Sequence, residues 1–199
     1  MHDPTAAQPH GDGTLASAVP PLDGGCAGFG DARLDGFFAH WQRCVSPHRW
    51  PARSAIDPVE LPRRVLPHLM ITQRVGNNGE IVRLAGTHIV DHLGYDPSRR
   101  DLRELAGDGN FADLCLQLQD EMRQAGTPLY AGGRHVSPYG AERICRRVVC
   151  PLSDDGIAVD ATVSCIVFEA DALAGLAVPP ERVGRGEGAE ELLSRPAFG

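Results

Sequence analysis

Apolar residues recur along this chain at two spacings, and the spacings divide it into elements. Leu34, Phe37, Phe38, Trp41 and Val45 fall on one stripe of a 3.6-residue period, which predicts an amphipathic helix. Asp31 stands where an N-cap carboxylate would accept a first-turn N–H, and Pro47 ends the helix. Phe111, Leu114, Cys115, Leu118 and Met122 form a second stripe, with Asn110 as its N-cap and Gly126 at its C-terminal stop. Elsewhere the period drops to two. Ile157, Val159, Ala161, Val163, Cys165 and Val167 share one face, and Asp160, Thr162 and Ser164 the other, the pattern of a half-buried strand.

Turn chemistry orders the remaining segments. Prolines 51, 58, 62 and 67 break any long helix and lead into a strand from Leu69 to Val75. "GNNG" at 76–79 turns it back into Glu80–Ala85, since Asn and Gly tolerate positive φ. After the long helix come three strands. Gly132-Gly133 in the first suggests a bulge or a close backbone approach, and "SDDG" at 153–156 joins the last two. Strands and helices do not alternate as a parallel sheet requires. The expected architecture is α+β, a five-stranded antiparallel sheet with helices on one side and an N-terminal amphipathic helix.

Residues 1–30, rich in Gly, Pro, Ala and Asp, read as a disordered leader, 31–170 as the folded domain and 171–199 as a flexible tail. Of the 199 residues, 42% are hydrophobic and 23% charged, enough for one sizeable core. A formal charge of −7 argues against a nucleic-acid surface. The basic pairs Arg63-Arg64, Arg99-Arg100 and Arg146-Arg147 read as solvated strand or turn positions. The start lacks the charged and apolar regions of an export signal, and no apolar run is long enough for a membrane span. A cytoplasmic protein is expected, without membrane or nucleic-acid partners. The six cysteines show no zinc-ligand spacing and read as buried free thiols; Cys145 and Cys150, five apart on one strand, face opposite sides.

The chemistry concentrates in "LAGTHIVDHLGYDP", Leu84 to Pro97. His88 and His92 lie one helical turn apart with Asp91 between them, close to an inverted zincin motif. Against that reading, Asp91 is shorter than the glutamate that would reach a metal-bound water, the helix ends by Gly94, and no third ligand follows. No metal is therefore expected, and a metal-dependent hydrolase on His88, Asp91 and His92 stays the weaker alternative. Ser54, Ser137 and Ser164 lack a nucleophile elbow, and "GGCAGFG" has no strand before it. Gly86 permits a strand-to-helix bend that the Thr87 hydroxyl could cap. Arg53 with Asp57, and Arg83 on the second strand, are candidates for charge-assisted bonds tying the N-terminal segment to the sheet.

Two segments carry a resemblance. "WPARSAIDPVELPRRVLPHLM", Trp50 to Met70, and "VRLAGTHIVDHLGYDPSRRDLREL" after it resemble a short bacterial PAS-domain family, through Arg53, Asp57, Pro58, Pro62, Pro67, Arg83, Gly86, Thr87 and Gly94. The match spans roughly 34–169. It departs at Ser98-Arg99, where the family often has Thr-Gly, so that turn must find its angles without glycine. The resemblance implies a sensory or regulatory module and not an enzyme: a small-molecule signal or partner contact would pass to a downstream signalling protein. With no attached output segment, transmission would run through another molecule. A ligand-free protein-interaction adaptor is the alternative. Pocket candidates are His88, His92, Leu93, Tyr95, Phe111, Leu114, Leu118 and Met122. No cofactor is assigned; haem at His88 or His92 would need a wide apolar cavity, and a flavin–cysteine adduct a cysteine that Thr87–Tyr95 lacks. The stripe of the first helix would bury against either the domain or a second subunit, and Phe37, Phe38 and Trp41 are the candidates for a homodimer or partner surface.

Overall fold

The computed structural model of the chain describes residues 15–18, 28–46, 50–76, 78–106, 111–137, 139–140 and 142–170. Its centre is an antiparallel sheet of β1 (Leu15–Ala18), β2 (Leu69–Val75), β3 (Gly79–Ala85), β4 (Leu129–Val136), β5 (Glu142–Leu152) and β6 (Ala161–Ala170), in the order β1-β4-β5-β6-β2-β3. Five of these strands are the expected ones and the class is α+β. The sixth, β1, lies inside the leader expected to be disordered and pairs with β4 from Leu15↔Gly132 to Ala18↔Leu129. The tail 171–199, most of the leader, Pro47 and the Asn110 cap lie outside the described residues.

Strand β6 sits between β5 and β2 and is buried on both faces. Val163, Cys165 and Val167 turn to one side, where α1 (Ala32–Cys44) covers them together with Val148, Cys150 and Leu152 of β5. Ile166 and Phe168 turn to the other, under α2 (Thr87–Leu93), α3 (Leu102–Leu105) and α4 (Phe111–Ala125). The helices α2–α4 thus lie on one side, as expected, and the N-terminal helix α1 covers the other. Thr162 and Ser164 are also buried, so β6 is not the half-exposed strand its alternation suggests. Ile157, counted on its apolar face, lies before the strand and is exposed. Cys145 and Cys150 do part to opposite faces.

Helix α1 is capped as expected, by the Asp31 carboxylate accepting from Arg33 N at 2.8 Å. Its stripe does not form a partner surface. Leu34 and Phe37 are fully buried, and Phe38 and Trp41 nearly so, against this chain's own sheet. Burying them at home offsets the cost of leaving four large apolar side chains in water, roughly 1.5–3 kcal/mol each. Trp41 Nε1 donates to the Pro151 carbonyl at 3.0 Å, and Phe38 stacks on Trp41. The helix start is held by charge as well. Arg146 of β5 reaches Glu169 at 2.5 Å and Asp31 at 3.2 Å; the Arg33 guanidinium bonded to Asp31, with Arg146 adding to it, lowers that carboxyl to about 2.

The connection from sheet to α2 depends on close backbone contact. Strands β2 and β3 pair out of step between Ile71↔Leu84 and Thr72↔Val82, so Arg83 is an unopposed bulge residue. Gly86 then passes against the Pro67 carbonyl, where a Cβ would collide, and its own N–H bonds Leu69 O at 2.8 Å. Gly86 is the N-cap of α2 and no side chain caps the helix; Thr87, expected to do so, is already its first residue. Gly94 closes α2 at φ 75°. Arg99 takes φ 68° without being glycine, the solution to the departure from Thr-Gly. Its N–H bonds Val82 O at 2.7 Å, fastening the turn to β3.

Removing the Phe37 ring leaves a cavity between α1 and β6, and Phe37→Ala should lower stability by about 3–5 kcal/mol, measured by urea unfolding. A loss under about 1 kcal/mol would show that α1 is not part of the core.

Candidate functional site

The eight pocket candidates all lie on or just after the helices of the inner face, but in two groups. Leu93 and Phe111 are buried in a cluster with Met70, Val82, Cys145, Ile166 and Phe168, with Tyr95 packed beside it. Leu118 and Met122 belong to a separate cluster with Leu129, Ala131 and Val149, and Leu114 packs against that one. The histidines of α2 are drawn to the end of β6. His92 stacks on Phe168 at a centroid distance of 3.6 Å, and its Nε2 is 2.8 Å from His135 Nδ1 on β4. His88 Nε2 lies 3.3 Å from Phe168 O, and its ring is 4.4 Å from that of His68, whose Nδ1 lies 3.1 Å from Ile166 O.

This arrangement answers the metal and haem readings. His88 and His92 face different partners instead of converging, and Asp91 is exposed. Among the described residues no group of three or more His, Cys, Asp or Glu could hold a metal. The space a haem would need beside His92 is filled by Phe168, His135 and Phe111, with ring centroids between 5.7 and 6.0 Å apart. The residues present do not fit that group.

Sequence reasoning missed His68, His135 and, above all, Arg147. Arg147 was expected to be solvated with Arg146; it is only 2% exposed. Its NH1 and NH2 donate to the Cys115 and Cys145 sulfurs, each at 3.2 Å, and its Cζ lies 5.0 Å from the Phe111 centroid. No carboxylate among the described residues pairs with it, whereas Arg146 meets two. Burial opposes its charge, the flanking cysteines favour it, and its pKa ends above the ordinary arginine value. A period-two reading of β5 would have put Arg147 on the face of Cys145 and Val149, and one of β4 would have put His135 with Leu129 and Ala131.

A second polar group lies under α4. Thr72 Oγ1 contacts Glu80 Oε1 at 2.9 Å, Thr162 Oγ1 at 2.8 Å and Gln119 Nε2 at 2.9 Å, while Arg123 NH2 donates to Glu80 Oε2 at 2.7 Å. Gln119 Oε1 and Arg123 Nε are buried without a partner. Arg53, Asp57 and Arg83 meet elsewhere, lining an outer-face groove of about 450 Å³ with Ile56, Ile71 and Leu84. No ion pair among the described residues joins those three. Arg83 donates to Gln73 at 2.9 Å, and Asp57 accepts from Val59 N.

The imidazole pair makes a pH prediction. Burial, then Arg143, pushes His92 down from 6.5 to about 4; burial, then His92 itself, does the same to His135. Between these values the unfolded chain binds more protons than the folded one, so stability rises with pH across the window. Unfolding midpoints should be level above about pH 6.5 and fall as the pH drops toward 4, with a shallower fall in His135→Leu. An unchanged slope in that variant would remove the pair as the cause.

A family model described as PAS domain matches residues 31–163. No curated protein sequence matches the chain. Solved structures similar to it include a LOV domain from the blue-light activated histidine kinase of Erythrobacter litoralis EL346, at 16% identity and a TM-score of 0.40, covering 51% of this chain and 94% of that one. The Rhodobacter sphaeroides LOV protein is 17% identical with a TM-score of 0.40, over 66% of this chain and 69% of that one. Likeness this remote says nothing of what this chain binds. The family match spans more than half of the sequence, from the α1 cap to the first residues of β6, and on that ground the chain belongs to the PAS domain family.

Proposed function

We propose that this chain is a regulatory PAS module that passes a small-molecule signal or a partner contact to a downstream protein, with α2–α4 as the layer that responds. The observation supporting this is the chemistry beneath that layer. Instead of a dry apolar interior there is a buried guanidinium, a coupled imidazole pair and a Thr–Glu–Arg–Gln network with two unpaired atoms. Partly satisfied buried polar groups lower stability, so a bound molecule or rearrangement that satisfies them would shift the packing of α4. The role proposed is regulatory and not catalytic, since the imidazoles beneath this layer, His68, His88, His92 and His135, contact backbone carbonyls or each other.

The place of action we propose is the cytoplasm, where Cys44, Cys115, Cys145, Cys150 and Cys165 would stay free as described. No helix among the described residues is long and apolar enough to cross a membrane. The net charge of −7 disfavours a nucleic-acid partner. One observation favours a second reading, a ligand-free adaptor: the inner face is filled by the chain's own side chains.

Native mass spectrometry of the protein from its own cells, with hydrogen exchange on the same sample, separates the two. A co-purifying small molecule whose removal speeds exchange in α2–α4, but not in β5 and β6, is the expected result. Ligand-free protein with α2–α4 as protected as β5 and β6 would overturn sensing and leave the adaptor.

A further inference from the structure

Strict alternation along β3 would send Arg83 and Leu84 to opposite sides of the sheet. Val82 and Ala85, which flank them, both turn to the inner cluster. Leu84 pairs with Ile71, and Ile71 packs against the outer one. The extra residue of the bulge therefore sets Arg83 beside Leu84 on the outer face, where both line the groove of about 450 Å³. Bulges that re-aim a side chain are over-represented next to functional sites. This one brings a guanidinium to a lining that is otherwise largely apolar, with Ile56, Pro58, Ile71 and Leu84.

The donors of this groove are not engaged by the chain. Arg83 donates Nε–H to Gln73 Oε1 at 2.9 Å, which orients its fork, and NH1 and NH2 meet no partner among the described residues. The Arg53 guanidinium and the Ser54 hydroxyl, on the single 3-10 turn Arg53–Ala55, donate to none of them either. Arginines elsewhere are placed differently: Arg33, Arg123, Arg134 and Arg146 each meet a carboxylate. The one acid on the lining, Asp57, accepts from Val59 N at 2.8 Å through Oδ1. Two guanidinia against one carboxylate leave the groove positive, in a chain whose formal charge is −7.

We propose that this outer groove is a site for a small organic phosphate, its phosphoryl group held by Arg53, Arg83 and Ser54. A phosphoryl group presents three strong acceptor oxygens and takes paired N–H···O bonds from guanidinium. Two arginine forks and a hydroxyl suit it better than the two oxygens of a carboxylate. The body of the ligand lies against Ile56, Ile71 and Leu84, and Asp57 Oδ2 accepts from a hydroxyl or amine on it. The volume is within the range of roughly 300–1,000 Å³ that small-molecule clefts occupy. The groove lies across the sheet from α2–α4, so the site stands whatever that layer responds to.

Titration calorimetry of the full chain with phenyl phosphate, inorganic phosphate, benzoate and phenol tests this, in the wild type and in Arg53→Gln, Arg83→Gln and Arg134→Gln. All three arginines are exposed, so the variants should keep the wild-type unfolding midpoint. Arg134, paired with Glu142 away from the groove, controls for unspecific attraction. Phenyl phosphate should bind most tightly and phenol not at all, and added salt should weaken the phosphate. Either groove variant should lose about tenfold in affinity, and Arg134→Gln nothing. Absence of phenyl phosphate binding, or an equal loss in Arg134→Gln, would overturn the site. Benzoate binding as tightly would overturn the phosphoryl assignment, and inorganic phosphate binding as tightly the role of the apolar lining. A phosphoserine peptide, Ala-Leu-phosphoserine-Leu-Ala, that outbinds phenyl phosphate would replace the small ligand with a phosphorylated protein.

Discussion

A strand buried on both faces must satisfy two different neighbours with alternate side chains, and β6 is the strand on which this protein imposes that constraint. Its Val163, Cys165 and Val167 give α1 a dry seat. Its Thr162, Ile166 and Phe168 give the opposite layer a mixed one, part network and part aromatic wall. The two layers do not share side chains, so the α1 side can act as a fixed base while the other side changes. That division follows from a period of two and a central place in the sheet. Without it the buried polar groups would have no rigid floor.

Much of this was legible in the chain. The two helical stripes, the β2–β3 hairpin and the parting of Cys145 from Cys150 follow from spacing and turn chemistry alone. What spacing cannot say is whether a face has a roof. Thr162 and Ser164 look like the solvent side of a strand until Gln119 of α4 is seen to lie over Thr72 and its neighbours. The same ambiguity sent Phe37, Phe38 and Trp41 outward to a partner and Arg147 outward to water; in each case a layer distant in sequence closes over the residue. Strand β1 escaped for another reason: four residues amid Gly and Pro are too few for a period to show.

The candidate site was half visible. The stretch from Leu84 to Pro97 advertised His88 and His92, and both do reach the inner face. Their partners did not show, because His68 and His135 come from segments twenty and more than forty residues away. Pairing is what changes their meaning: an imidazole stacked on Phe168 and bonded to another imidazole is a packed neutral group, not a ligand waiting for iron. The informative residue was instead the second member of an ordinary-looking basic pair.

The turn at Arg99 has an effect on how this protein meets others. A non-glycine residue at positive φ is tolerated there because the turn it makes lays the backbone of 99–101 alongside β3, bonding Val82 in both directions and bridging Ile81 to Asp101. At the opposite side of the sheet, β1 occupies the rim of β4 and is itself four residues long. Open rims invite strand addition, the route to fibrils and to edge-to-edge polymers. With one rim stitched by its own turn and the other shortened to a stub, the sheet is a poor template for copies of itself. Selective recognition is left to faces and helices, where side-chain chemistry can discriminate.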